Sequence, residues 1–197
     1  MGNTTWDIGL FEALNFNGGS TLDWLMTHIS GMAMWVPLYL LIIYMVWRRY
    51  SWFGVATLIV AVAVAMGMAD IIAGIFKHSG PLKHLWPDFP VRLRPMFTES
   101  LGDIHVVTTQ GHGLFGTVSA HAATIVSLTI ISCLVIRRRW FTIMMVVCAV
   151  LICYSRIYLA CHFPQDILIG ALLGLASGYA GLKLFRWMMR LREGVRK

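Results

Sequence analysis

Three groups of residues carry types and spacings that could do chemistry. Ser155 and Arg156 are followed after five residues by His162, and Asp166 comes four positions later. Pro164 suits the first turn of a helix, where no N–H is needed, and Asp166 falls in the same turn, where the helix dipole favours a carboxylate. From there Asp166 can reach back to one ring nitrogen of His162, fix its tautomer and leave the other nitrogen free to attack an electrophile. The plainer alternative is an interfacial histidine beside a capping aspartate. The second group is Ser119-Ala120-His121, preceded by Gly111, Gly113 and Gly116. A helix beginning near Gly116 would aim backbone N–H groups and the Ser119 hydroxyl at an anion, and His121 would protonate a departing oxygen. A buried, hydrogen-bonded histidine is the alternative there. The third group is Arg92-Leu93-Arg94-Pro95. An arginine fork donates in parallel pairs to phosphate oxygens, although for Arg92 and Lys83 a basic loop facing anionic headgroups is the simpler reading. Residues 111–116 also match a dinucleotide-binding glycine pattern, but no strand precedes them and no βαβ unit follows, so the match has no mechanism.

These groups must be positioned by membrane-spanning helices. Of 197 residues, 58% are hydrophobic and 13% charged, far from a soluble composition. A span needs about 20 apolar residues, and five stretches qualify: 24–47, 52–76, 114–136, 140–158 and 167–187. The expected fold is an all-α integral membrane bundle of about five transmembrane spans, forming one domain over residues 1–197. Residues 4–16 are too short to cross. Their Trp6, Leu10, Leu14 spacing predicts an amphipathic helix lying in the interface or packed on the bundle. This segment lacks the basic start of a secretory signal and is expected to remain on the protein.

The net charge of +7 is unevenly placed. Eleven of the sixteen Lys and Arg residues are Arg48, Arg49, Arg137 to Arg139 and the six in 183–197. With five spans these share one side, which the positive-inside rule makes cytoplasmic. The other five, Lys77, Lys83, Arg92, Arg94 and Arg156, lie opposite with all seven histidines. That placement argues against nucleic acid as a partner and puts the chemistry on the outer face. Cys133, Cys148, Cys153 and Cys161 show no paired metal-ligand spacing and read as small apolar fillers.

Together the residues resemble the type 2 phosphatidic acid phosphatase superfamily, whose signatures are Lys-x6-Arg-Pro, Pro-Ser-Gly-His and Ser-Arg-x5-His-x3-Asp. The third is complete as Ser155, Arg156, His162 and Asp166. The second stands as Val118-Ser119-Ala120-His121, with Pro and Gly replaced. The first keeps Arg94-Pro95, but Pro87 occupies the lysine position; Lys77 is the nearer counterpart, with about eight extra residues before Arg94, and Lys83 is the alternative. The resemblance covers roughly residues 70–175. It implies a cofactor-free and metal-free transfer in which His162 becomes a phosphohistidine, His121 protonates the leaving oxygen and water hydrolyses the intermediate. Lys77, Arg94 and Arg156, with Ser119 and the Ala120 N–H, would hold the phosphate oxygens. The implied setting is a bacterial inner membrane, with the site facing the periplasm and the C-terminus in the cytoplasm.

Two other classes fit less well. Helical metal sites want ligands three or four apart, and the outer histidines His78, His84, His105, His112, His121 and His162 are never so spaced. An anion transporter would place ionisable groups near mid-membrane, whereas here only Asp70, His28 and His121 lie in or near spans. The expected partner is a lipid phosphate, with no obligate protein partner evident. A polyprenyl (undecaprenyl) diphosphate is favoured, and phosphatidylglycerol phosphate, phosphatidic acid and a lipid A phosphate are the alternatives.

Overall fold

The computed structural model describes residues 5–76, 85–86, 92–109 and 113–195. Lys77 and Lys83, the two candidates for the first signature's lysine, lie outside these residues. Among the described residues the α-helices are α1 Thr5–Leu14, α2 Gly19–Ser30, α3 Val36–Ile75, α4 Ala120–Ile136, α5 Arg139–Tyr158 and α6 Pro164–Val195. Three stretches among the described residues are long and apolar enough to cross a membrane, Ala33–Ile75, Arg139–Tyr158 and Pro164–Gly194, and Ala120–Ile136 is a shorter apolar helix. Leu40, Ile59, Ile71, Val150 and Leu172 stand exposed on the bundle's outside, as lipid-facing residues do. The protein is an integral membrane protein.

The longest stretch is two limbs. Ser51 takes φ 61° and ψ −175°, a left-handed value that L-residues rarely adopt, and the chain reverses there. Trp47 and Trp52 meet across the turn with ring centroids 5.6 Å apart, and Trp35 and Tyr39 of the first limb border the same cleft as Met66 and Asp70 of the second. A side chain at Gly54 would place its Cβ 2.2 Å from Cβ of Tyr50, so glycine is required at the reversal.

Two expected spans begin elsewhere. The first does not start at Trp24: α2 ends at Ser30, Gly31 turns extended at ψ 149°, and Pro37 opens α3 in its first turn, where it is tolerated. The third starts at Ala120, not at Leu114 or near Gly116. Residues 114–116 are drawn into an antiparallel bridge in which Arg94 N donates to the Leu114 carbonyl at 2.9 Å and Gly116 N to that of Arg92 at 2.9 Å. With those backbone groups spent, the helix begins only after Ser119 caps it.

The pairing of α4 and α6 sets the distance between the two halves of the site. Gly170, Gly174 and Gly178 form a ridge at four-residue spacing against α4. An added Cβ would fall 2.4 Å from the Ser119 carbonyl, 2.5 Å from that of Ala123 and 2.9 Å from Cα of Ser127 respectively. Small residues at this spacing let helix backbones touch in a membrane, and Ser127 adds a 2.6 Å hydroxyl contact to Ser177. Helix α1 forms where expected, with Trp6 and Leu10 exposed, but its other face is buried: Asp7 and Phe11 are wholly enclosed.

Candidate active site

The turn between α5 and α6 carries His162. Ala160 adopts φ 52°, and the Arg156 carbonyl at the end of α5 accepts from both Cys161 N at 2.9 Å and His162 N at 3.2 Å. The turn is therefore closed onto Arg156, and His162 is left only 2% exposed. Phe163 precedes α6, and Asp166 reaches back so that Oδ2 accepts the Phe163 N–H at 3.0 Å, a capping-box contact. Asp166 also ties α6 to α4, because its carbonyl accepts from Ser119 N at 3.1 Å.

His162 Nδ1 lies 3.0 Å from the Gly116 carbonyl and 3.5 Å from Asp166 Oδ2. A carbonyl only accepts, so Nδ1 carries the proton in the neutral ring and Nε2 is left with its lone pair. The expected partner, Asp166, thus stands behind a nearer one. Gly116 has no room for a side chain: a Cβ would sit 2.9 Å from Cγ of Arg94 and 3.3 Å from His162 Nδ1. Its carbonyl is delivered by the bridge to residues 92–94.

On the other edge of the ring, Arg94 Nη1 lies 3.2 Å from His162 Nε2. The guanidinium is anchored by donating through Nε to the Gly113 carbonyl at 2.7 Å and through Nη1 to that of Cys161 at 2.9 Å. Burial lowers the Arg94 pKa from its ordinary value, yet arginine starts so high that the charge persists. Arg156 is buried, its Nη1 donates to the Ser30 hydroxyl, and its Nε is enclosed without a hydrogen-bond partner among the described residues. A buried guanidinium N–H without an acceptor is costly, and an anion oxygen would satisfy it. Burial pushes the Cys161 thiol up, keeping it neutral.

Ser119 caps α4 by accepting from Ala122 N at 3.3 Å. Ala120, as the first helical residue, has an N–H that the helix does not use. His121 is exposed in the first turn of α4 and, with Ala120 and Ser30, borders an apolar cleft of about 300 Å³ between α2, both limbs of α3, α4 and α5. Ser30 also holds Arg156, so the cleft opens beside the buried guanidinium. The fold thus brings His162, Arg94, Asp166 and Arg156 together, with Ser119, Ala120 and His121 at the adjoining end of α4. Among the described residues no group of three His, Cys, Asp or Glu side chains is placed to hold a metal ion.

Sequence reasoning missed three contributors. The Gly116 carbonyl could not be found from side-chain chemistry. Arg92 is 5% exposed and paired with Asp166 and Asp7, where a headgroup-facing loop residue was expected. The Gly170, Gly174, Gly178 ridge was visible in the sequence as a four-residue repeat of glycine.

Comparison with known proteins follows the same lines. A family model described as PAP2 superfamily matches residues 58–190. The chain is 32% identical over 177 residues to a lipid A 4'-phosphatase of Bacteroides thetaiotaomicron, covering 88% of this chain and 75% of that protein. It is 26% identical over 175 residues to an undecaprenyl-diphosphatase of Sulfolobus acidocaldarius, covering 87% and 75%. Among solved structures, the crystal structure of Aquifex aeolicus LpxE aligns with a TM-score of 0.64 at 22% identity, over 92% of this chain and 97% of that one. A transmembrane PAP2 type phosphatidylglycerolphosphate phosphatase from Bacillus subtilis aligns with a TM-score of 0.59 at 19% identity, over 97% and 86%.

Proposed function

Because the chain belongs to the PAP2 superfamily and is a lipid phosphatase of that type, we propose that it hydrolyses a phosphate monoester on a glycolipid headgroup of the lipid A class, through a phosphohistidine on His162. The observation that carries the mechanism is the setting of the imidazole: Nδ1 faces an acceptor that holds its proton, and Nε2 faces Arg94. Nε2 forms the N–P bond as the P–O bond to the lipid breaks, and protonated His121 gives its proton to the departing oxygen. Neutral His121 then takes a proton from water, whose oxygen attacks phosphorus as the N–P bond breaks, and inorganic phosphate is released. Arg94, the unsatisfied Nε of Arg156, the Ala120 N–H and Ser119 stabilise the charge on the phosphoryl oxygens, with Lys77 as the expected further cation. Uncatalysed phosphate monoester hydrolysis is among the slowest known reactions, so several preorganised donors are required. The site faces the periplasm and the C-terminus the cytoplasm, the orientation supported by the basic residues of 48–49, 137–139 and 183–197.

The substrate class is supported by the cleft as well as by the names of relatives. Besides His121, its polar lining is Ser30, Thr124, Tyr39 and the exposed carboxylate of Asp70. These groups suit the hydroxyls and amides of a sugar, and Asp70 repels a second phosphate. A polyprenyl diphosphate is the second reading, supported by the undecaprenyl-diphosphatase relative. Purified protein assayed for kcat/KM on a lipid A phosphate, a polyprenyl diphosphate, phosphatidylglycerol phosphate and phosphatidic acid separates them, since that ratio measures differential transition-state binding. A preference of about tenfold, or 1.4 kcal/mol, for the lipid A phosphate is expected. The same margin for any other substrate would overturn the assignment and leave the phosphatase intact.

A further inference from the structure

The N-terminal helix lies outside the residues the family model matches, yet it sends a wholly buried carboxylate toward the loop that carries His162. Asp7 Oδ1 accepts the Gln165 N–H at 2.8 Å, and Oδ2 forms an ion pair with Arg92 Nη2. Arg92 is the hub. Its Nη1 donates to Asp166 Oδ1 at 3.3 Å and to Gln165 Oε1 at 3.4 Å, and its guanidinium lies 3.8 Å from the centroid of the Phe163 ring. Phe163 in turn rests on Phe11 of α1, with ring centroids 5.3 Å apart. Residues 163, 165 and 166, all immediately after His162, are thus held by one cluster. The Arg92 carbonyl also accepts from Gly116 N, and the Gly116 carbonyl holds His162 Nδ1. Arg92 is therefore linked to the Nδ1 edge of the imidazole by two routes, through Asp166 by its side chain and through Gly116 by its backbone.

We infer that Asp7 and Arg92 are positioning residues for His162, and that α1 is a working part of the catalytic site. The inference rests on the reading of His162 as the nucleophile. A buried cation between two carboxylates sits where their attractions balance; removing the Asp7 charge leaves Arg92 drawn onto Asp166 alone and shifts the loop. Removing one partner of a buried pair is strongly disruptive, whereas replacing both by apolar groups is often tolerated by the fold. The side chains of Asp7 and Arg92 bond to one another, to Gln165 and to Asp166, so neither change removes a group that bonds Arg94 or Arg156 or lines the apolar cleft. The effect therefore falls on kcat and not on KM, the pattern of a group that acts at the transition state.

The test uses the full chain in detergent or lipid with the preferred lipid phosphate, comparing Asp7→Asn, Asp7→Glu, the double variant Asp7→Leu with Arg92→Met, and His162→Ala. Asp7→Asn is expected to lose about tenfold or more in kcat with KM changed less than about twofold, and Asp7→Glu, which restores the charge, to recover most of the loss. The double variant is expected to fold with a melting temperature near that of the parent and to remain slow. A wild-type kcat in Asp7→Asn, or in the double variant where the single one does not fold, overturns the positioning role. A drop shared equally by Asp7→Asn and Asp7→Glu overturns it too. If His162→Ala itself turns over normally, the nucleophile assignment fails first; if only His162→Ala is dead while the Asp7 variants are normal, this inference alone fails.

Discussion

The Arg94 guanidinium stands 3.2 Å from Nε2 of His162, on the edge of the ring opposite the carbonyl that holds Nδ1. Nη1 donates to the Nε2 lone pair, so an electrophile that reaches that lone pair arrives beside the guanidinium. A phosphoryl group there would be bonded by one residue and neutralised by the other.

Arg94 is therefore expected to be less replaceable by lysine than charge alone implies. Its Nε and Nη1 are anchored to the Gly113 and Cys161 carbonyls, and lysine has no fork to keep those contacts while facing phosphate. Arg94→Lys is expected to lower kcat/KM by roughly 10- to 100-fold, corresponding to about 1.5–3 kcal/mol for a charge-assisted bond. Steady-state kinetics on the folded variant check this; a loss below about threefold would show that position 94 needs only a positive charge.

The glycine ridge is expected to matter for activity as well as for stability. Gly174→Leu would force side-chain atoms into the Ala123 backbone, where even a Cβ would sit 2.5 Å from the carbonyl oxygen. Overpacking of this kind costs about 1–3 kcal/mol. The opened α4–α6 seam would also stretch the Ser119 to Asp166 bond. A lowered melting temperature together with reduced kcat is expected; full kcat at a lowered melting temperature would uncouple the ridge from the site.

How much of this was legible without the structure depends on distance along the chain. Arg156 in the last turn of α5, His162 in the connecting turn and Asp166 in the first turn of α6 lie within eleven residues, so their spacing alone reports their meeting. The reversal near Ser51 and the apolar stretches follow from hydropathy. The start of α4 does not, because Leu114, Phe115 and Val118 continue its apolar run, and the backbone pairing of 114–116 with 92–94 that holds this stretch out of the helix has no local signal. Arg92 and Arg94 are two apart, a spacing that would put both on one face of an extended segment, yet one enters a buried ion cluster and the other reaches the imidazole. No local pattern tells which is which, and the partner that decides it, Asp7, is 85 residues away.

Cys161 neighbours His162, the proposed nucleophile, yet its thiol is expected to be unreactive. Burial raises its pKa above the ordinary value, so at about neutral pH it is protonated, and the thiolate that attacks alkylating reagents is scarce. Labelling should be slow near pH 7 and quicken only as the pH rises beyond the ordinary thiol range. Rapid alkylation of Cys161 at neutral pH, detected by peptide mass spectrometry, would contradict this.

Activity is expected to survive exhaustive chelation. In the proposed mechanism the positive charge facing the phosphoryl group comes from Arg94 and Arg156, and the described residues assemble no metal-ligand group. Vanadate, able to take five-coordinate geometry beside His162, is expected to inhibit. Loss of turnover with EDTA and its return on adding zinc or magnesium would require a different mechanism.

The most direct measurement is a rapid quench of the enzyme with a lipid substrate bearing a radiolabelled phosphate. A phosphohistidine on His162 predicts protein-bound label that is stable to base, labile to acid, located on the peptide containing residue 162 and absent from folded His162→Ala. No protein-bound label during rapid turnover, or equal labelling and turnover in His162→Ala, would contradict the covalent mechanism.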